Sequence, residues 1–97
     1  MKILVNWKTH EGRLHDALAV FSQLEDKDDQ ERMGAMKLLG RWHDLARGTG
    51  TAVFETECAS ALASYALQWN RFMDIQVSVV LDDDEAREVG RSLPSPS

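Results

Sequence analysis

An α+β protein built on one four-stranded antiparallel sheet is the fold class this sequence predicts, and three observations predict it. Four short segments alternate apolar and polar residues with a period of two. Two other segments repeat apolar residues at helical spacing, and the six occur in the order strand, helix, strand, strand, helix, strand. The length of 97 residues suits one domain, which at this size buries a little over ~60% of its unfolded surface.

The first strand is Lys2 to Lys8, with Ile3, Val5 and Trp7 on one face and Leu4, Asn6 and Lys8 on the other. From Glu11 the period changes, and Leu14, Ala17, Leu18, Phe21 and Leu24 form the apolar stripe of a helix, opposite His15, Asp16 and Ser22. Glu25 to Arg32 is almost entirely charged and reads as a solvated connector with no more than one helical turn. Lys37 to Asp44 alternates again, with Leu38, Gly40 and Trp42 against Leu39, Arg41 and His43. The turn residues of Arg47-Gly48-Thr49-Gly50 and renewed alternation from Thr51 to Thr56 complete a hairpin. Thr56 reads as the N-cap of a second helix, whose stripe is Cys58, Leu62, Tyr65, Trp69 and Phe72. Ile75, Val77 and Val79 alternate with Gln76, Ser78 and Val80 in the fourth strand. Asp82 and Glu85 read as a capping box that opens a short helix stopped at Gly90. Positions 1–90 are therefore expected to form a single domain, and positions 91–97, with Pro94 and Pro96, a disordered tail.

The order βαββαβ is the ferredoxin-like plan. Two helices on one face of the sheet leave the other bare. Taking the more apolar parity as helix-facing sends Ile3, Val5, Trp7, Leu38, Trp42, Phe54, Ile75, Val77 and Val79 to the core. The remaining parity carries Leu4, Leu39, Val53 and Val80 together with Asn6, Arg41, His43, Glu55, Gln76 and Ser78. It has too many aliphatic groups for free solvent and too many polar ones for a dry core. A second copy of the chain packing its own sheet there would cover it, so a homodimer enclosing a polar cavity is expected.

Within that parity His43 and Arg41 are the candidate catalytic pair, because two steps along a strand return to the same face. Glu55 on the partner strand is expected beside them, where a carboxylate would raise the imidazole pKa and fix its tautomer. Asn6, Gln76 and Ser78 would add neutral hydrogen-bonding groups suited to a small polar or amphipathic molecule. The competing reading of the same residues is an interfacial Arg–Glu pair and a hydrogen-bonded histidine that fix dimer register. Trp42 and Trp69 are expected in the core, Trp7 near a strand end, and Cys58 as an inert buried thiol. The three histidines and the acidic runs show no metal-ligand spacing, so no metal and no cofactor are expected.

A net charge of −5 argues against nucleic-acid or anionic-membrane partners. Cys58 is the only cysteine, which forbids an intramolecular disulfide. With no basic leader and no apolar run of membrane-spanning length, a cytoplasmic protein is expected.

The blocks Lys2-Ile3-Leu4-Val5-Asn6-Trp7, Lys37-Leu38-Leu39-Gly40-Arg41-Trp42-His43 and Val79-Val80-Leu81-Asp82-Asp83 resemble those of an uncharacterised bacterial domain family of about this length. The Gly-Arg-Trp-His run is the most specific part. The resemblance covers nearly the whole domain and implies a dimeric α/β barrel, a group containing cofactor-free monooxygenases, haem-degrading enzymes and members without known activity. Haem-degrading members also carry an asparagine where Asn6 stands, but they hold the iron through a helical histidine, and Glu57 to Phe72 contains none. The resulting expectation is a homodimer that binds a small organic molecule. Its enzymatic version is cofactor-independent chemistry on an anionic or enolisable substrate, with His43 as base and Arg41 holding developing negative charge. The alternative is a non-enzymatic regulatory or interaction protein whose polar sheet face is only a dimer interface.

Overall fold

A computed structural model describes residues 1–94. It contains β1 (Lys2–Thr9), α1 (Leu14–Ser22), α2 (Asp26–Met33), β2 (Lys37–Asp44), β3 (Thr49–Glu55), α3 (Ala59–Trp69), β4 (Met73–Val80) and α4 (Asp83–Arg91). The strands pair antiparallel throughout in the order β2-β3-β1-β4. This is a ferredoxin-like fold, with α1 and α2 in the first crossover and α3 in the second. Ile3 and Val5 of β1 and Ala52 and Phe54 of β3 form the floor of the core, beneath Ala17 of α1 and Tyr65 and Trp69 of α3. Among the described residues no helix is long and apolar enough to cross a membrane.

The acid-rich segment after α1 is a helix rather than a solvated connector. Glu25 and Asp28 form a reciprocal capping box at its start, and Gly34, at φ 60°, ends it in a conformation that favours glycine. Asp29 and Met33 lie four residues apart, hence on one face, and both are buried. Charge density alone hid this, because six of the eight residues of α2 are charged and only one face turns inward.

The face assignment of β2 is also corrected. Leu38 pairs with Phe54, but the next pair is Gly40 with Val53, so Leu39 is an extra residue in a β-bulge. An odd insertion exchanges the faces of everything beyond it. Arg41 therefore pairs with buried Ala52, and His43 with Gly50, on the helix-facing side. Trp42, expected in the core, turns to the bare face and is 62% exposed, its ring folded over Gly40.

Val77 and Val79 face the helices' side as expected, yet they are exposed, Val79 at 62%. The helical layer does not reach this end of β4. The final helix does not fill the gap, for α4 buries none of its residues. It begins with the expected capping box between Asp82 and Glu85 and is tied to the sheet by Lys2, whose amine lies 2.9 Å from Glu85 and 3.4 Å from Asp82. The molecule is accordingly elongated, 55 × 27 × 19 Å, with a radius of gyration of 16.0 Å against about 12.5 Å for a compact chain of this length. Arg91 falls inside α4, and Ser92 and Leu93 bond back to the carbonyls of Val89 and Gly90. The rest of the expected tail, residues 95–97, lies outside the described residues.

Candidate functional site

A cavity of about 70 Å³ opens between the helical layer and the sheet. At roughly 10–15 Å³ per enclosed water it has room for about five waters, which limits an enclosed guest to no more than a single ring. Its walls are mostly apolar, contributed by Trp7, Phe21, Leu62, Trp69 and Ile75, and Arg41, His43 and Tyr65 bring the polar groups.

The β2 bulge is what delivers Arg41 here. Its Nη2 donates to Asp29 Oδ2 at 2.6 Å and its Nη1 to the Tyr65 hydroxyl at 3.2 Å, while the guanidinium carbon sits 4.7 Å from the centre of the Phe21 ring. The Arg41 and Asp29 side chains are only 14% and 7% exposed, so this is a buried ion pair stacked on an aromatic ring. Burial alone would lower the Arg41 pKa. The bond to Asp29, with smaller contributions from Tyr65, reverses that and holds it above its ordinary value. Burial raises the Tyr65 pKa and outweighs the opposing charge of Arg41, so the phenol keeps its proton.

His43 stands at the cavity mouth, exposed, with its ring centre 5.5 Å from Trp7 and 4.9 Å from Phe21. Partial burial against these rings, and then the charge of Arg41, lower its pKa. The imidazole is thus neutral at physiological pH and able to accept a proton or a hydrogen bond. Trp7 reaches this position because Gly50, opposite it in β3, has no side chain; a methyl group there would fall 2.0 Å from the indole.

The six residues expected to share one face are divided between two. Arg41 and His43 line the cavity, whereas Asn6, Glu55, Gln76 and Ser78 are exposed on the opposite, bare face. Asn6 pairs directly with Gln76 and Leu4 with Ser78, so three of these four cluster along β1 and β4. Glu55 pairs with Lys2 and Lys37 at the sheet end and is separated from His43 by the thickness of the sheet. The predicted elevation of the His43 pKa by a carboxylate is therefore reversed in sign.

Asp29, Phe21 and the Tyr65 hydroxyl enter the site without having been singled out by sequence. Tyr65 was legible only as part of an apolar stripe. For Asp29 the available signal was its spacing from Met33. Among the described residues three buried side-chain polar atoms lack a hydrogen-bond partner of ordinary geometry: Asp29 Oδ1 behind the ion pair, Gln68 Oε1, and Trp69 Nε1, which lies beside the Tyr65 hydroxyl.

Cys58 is half-buried rather than enclosed, and its thiol lies 3.2 Å from the Ser60 hydroxyl, which together with backbone N–H groups lowers its pKa. It occupies the N-cap position of α3, without a side-chain capping bond, in place of Thr56, whose buried hydroxyl instead accepts the Cys58 N–H and donates to the Ala35 carbonyl. Among the described residues no group of three or more His, Cys, Asp or Glu side chains is placed to hold a metal ion.

Fold and site together define a ferredoxin-like protein whose cavity lies between helices and sheet, with a neutralised cation in its wall. The chain belongs to the family described as a domain of unknown function, DUF3303, whose model matches residues 1–94. No curated protein matches the sequence. Among solved structures the chain is similar to an uncharacterised NIPSNAP domain protein from Burkholderia xenovorans, with a TM-score of 0.47 and 13% identity over 86% of this chain and 97% of that one.

Proposed function

We propose that this protein binds a small organic molecule in the cavity between helices and sheet, and that it works as a cytoplasmic homodimer joined through the bare sheet face. One observation carries the binding reading: an apolar cavity into which Arg41, Tyr65 and His43 bring polar groups. Apolar walls with a few convergent polar groups are the usual composition of a ligand site. In the enzymatic version His43, neutral at the mouth, takes a proton from the bound molecule without a cofactor.

The dimer reading is supported by the opposite face. Leu39 and Trp42 are 43% and 62% exposed there, beside half-buried Leu4, Val53 and Val80. Covering such groups contributes ~1.5–3 kcal/mol for each large side chain that becomes fully buried. Asn6, Glu55, Gln76 and Ser78 then belong to the interface and its rim, which is the role the non-enzymatic alternative gave them.

The test is to fill the cavity. Ala66→Phe places a ring where the ligand is proposed to sit, and it should abolish the rise in melting temperature that single-ring aromatic compounds give the wild type. An undiminished response in a folded Ala66→Phe protein would put the site elsewhere.

A further inference from the structure

Among the described residues Arg41 is the one Lys or Arg in the cavity wall, and its charge is already spent. Asp29 meets it at 2.6 Å, and both side chains are nearly excluded from solvent, so the pair presents no net charge to a guest. A carboxylate or phosphate entering this cavity would leave water for apolar walls and find no uncompensated positive charge. The chain as a whole, at −5, adds no attraction for anions.

What the polar end does offer is donors. The guanidinium has five N–H groups, of which the bonds to Asp29 and Tyr65 engage two. The Tyr65 oxygen accepts one of those bonds, which leaves its own O–H to donate. A buried donor left unmade is unfavourable, so a guest that supplies an acceptor there gains more than one that supplies only apolar surface. The aromatic rings of Trp7, Phe21 and Trp69 surround the remaining space, which limits an enclosed guest to a single ring.

We propose that the cavity is selective for an uncharged, single-ring aromatic molecule carrying a carbonyl or similar acceptor oxygen, and discriminates against the corresponding carboxylate. The proposal rests on the cavity being the ligand site. Of the anionic or enolisable substrate expected from sequence it sets aside the anionic one, because that alternative treated Arg41 as a free charge.

The three tryptophans supply the readout. Trp7 and Trp69 line the cavity, whereas Trp42 lies on the other side of the sheet, so their three indole N–H signals in an NMR spectrum separate a cavity ligand from a surface one. Benzamide should shift the Trp7 and Trp69 signals, leave Trp42 in place, and bind at least about tenfold more tightly than benzoate, a difference of ~1.4 kcal/mol. Toluene, equal in shape but without an acceptor, should bind more weakly than benzamide. In Asp29→Asn the Arg41 charge loses its partner, and the order of benzamide and benzoate should invert.

A wild-type measurement serves if that variant does not fold. The phenol group of 4-nitrophenol ionises near neutral pH, and at a fixed pH binding should bleach the phenolate absorbance by favouring the neutral form. Stronger binding of benzoate than benzamide, or growth of the phenolate band, would overturn the proposal while leaving the cavity as the ligand site. Failure of every probe to move Trp7 and Trp69 would remove the cavity reading and this proposal with it.

Discussion

The Asp29 carboxylate and the Arg41 guanidinium meet at 2.6 Å across the gap between α2 and β2, fastening the acid-rich helix to the sheet. The pair was formed at a cost, since two ions left water to make it, and each now depends on the other. Asp29→Ala should destabilise the protein by ~3–5 kcal/mol in chemical denaturation, because it strands a buried cation. Replacing both together, with Asp29→Leu and Arg41→Met, should recover most of that loss. A single-variant loss under about 1 kcal/mol would mean that water reaches the pair. At a water-filled interface, by contrast, truncating Arg41 would be nearly neutral.

His43 gives the protein a specific pH dependence. Its pKa in the folded state lies below 6.5, through partial burial and the neighbouring Arg41 charge. As pH falls through the range beneath 6.5, the unfolded chain therefore binds the proton more readily than the folded one, and stability decreases until the folded-state pKa is passed. His43→Gln, which stays neutral, should show a smaller loss between about pH 7.5 and pH 5.5. Equal losses in both proteins, followed by denaturation midpoint, would show that the imidazole is not destabilised in the folded state.

The order of elements was legible in the sequence because apolar periodicity reports each segment's own geometry. The faces of β1, such as Ile3 and Val5 inward and Asn6 outward, were legible for the same reason. The faces of β2 were not. Leu39 is indistinguishable from its neighbour Leu38 by composition, and only pairing with β3 shows which of the two is the extra residue. That single residue divided the expected site, moving Arg41 and His43 to the helices and Trp42 to the bare face. Asp29 was illegible for a different reason: a carboxylate among charged residues is normally solvated, and its burial depends on an arginine twelve positions away.

Two glycine–tryptophan contacts on opposite faces should respond differently to the same substitution. A methyl group at Gly50 would fall 2.0 Å from the Trp7 ring, which is wedged beside His43 in the cavity wall. Displacing that ring should cost ~1–3 kcal/mol and move the Trp7 indole signal. A methyl group at Gly40 would fall 2.4 Å from the Trp42 ring, which is exposed and free to swing outward in the isolated chain. Gly40→Ala should therefore change the stability of a monomeric protein by only ~0.5 kcal/mol. Equal costs at the two positions would mean that Trp42 is held as firmly as Trp7.

What would hold Trp42 is a second copy of the chain. Its indole is the largest apolar group on the bare face, next to Leu39 and opposite Thr51 in the neighbouring strand. In a dimer joined through this face a charge at position 42 would be buried without a partner, a cost large enough to dissociate the pair. Trp42→Glu should lower the mass measured by light scattering at micromolar concentration from that of two chains to that of one. Because the cavity lies on the other side of the sheet, the Trp7 and Trp69 signals should keep their positions and their response to benzamide. A wild type that is already monomeric at that concentration, or a Trp42→Glu protein that stays dimeric, would remove the bare face from the interface and leave the cavity assignment intact.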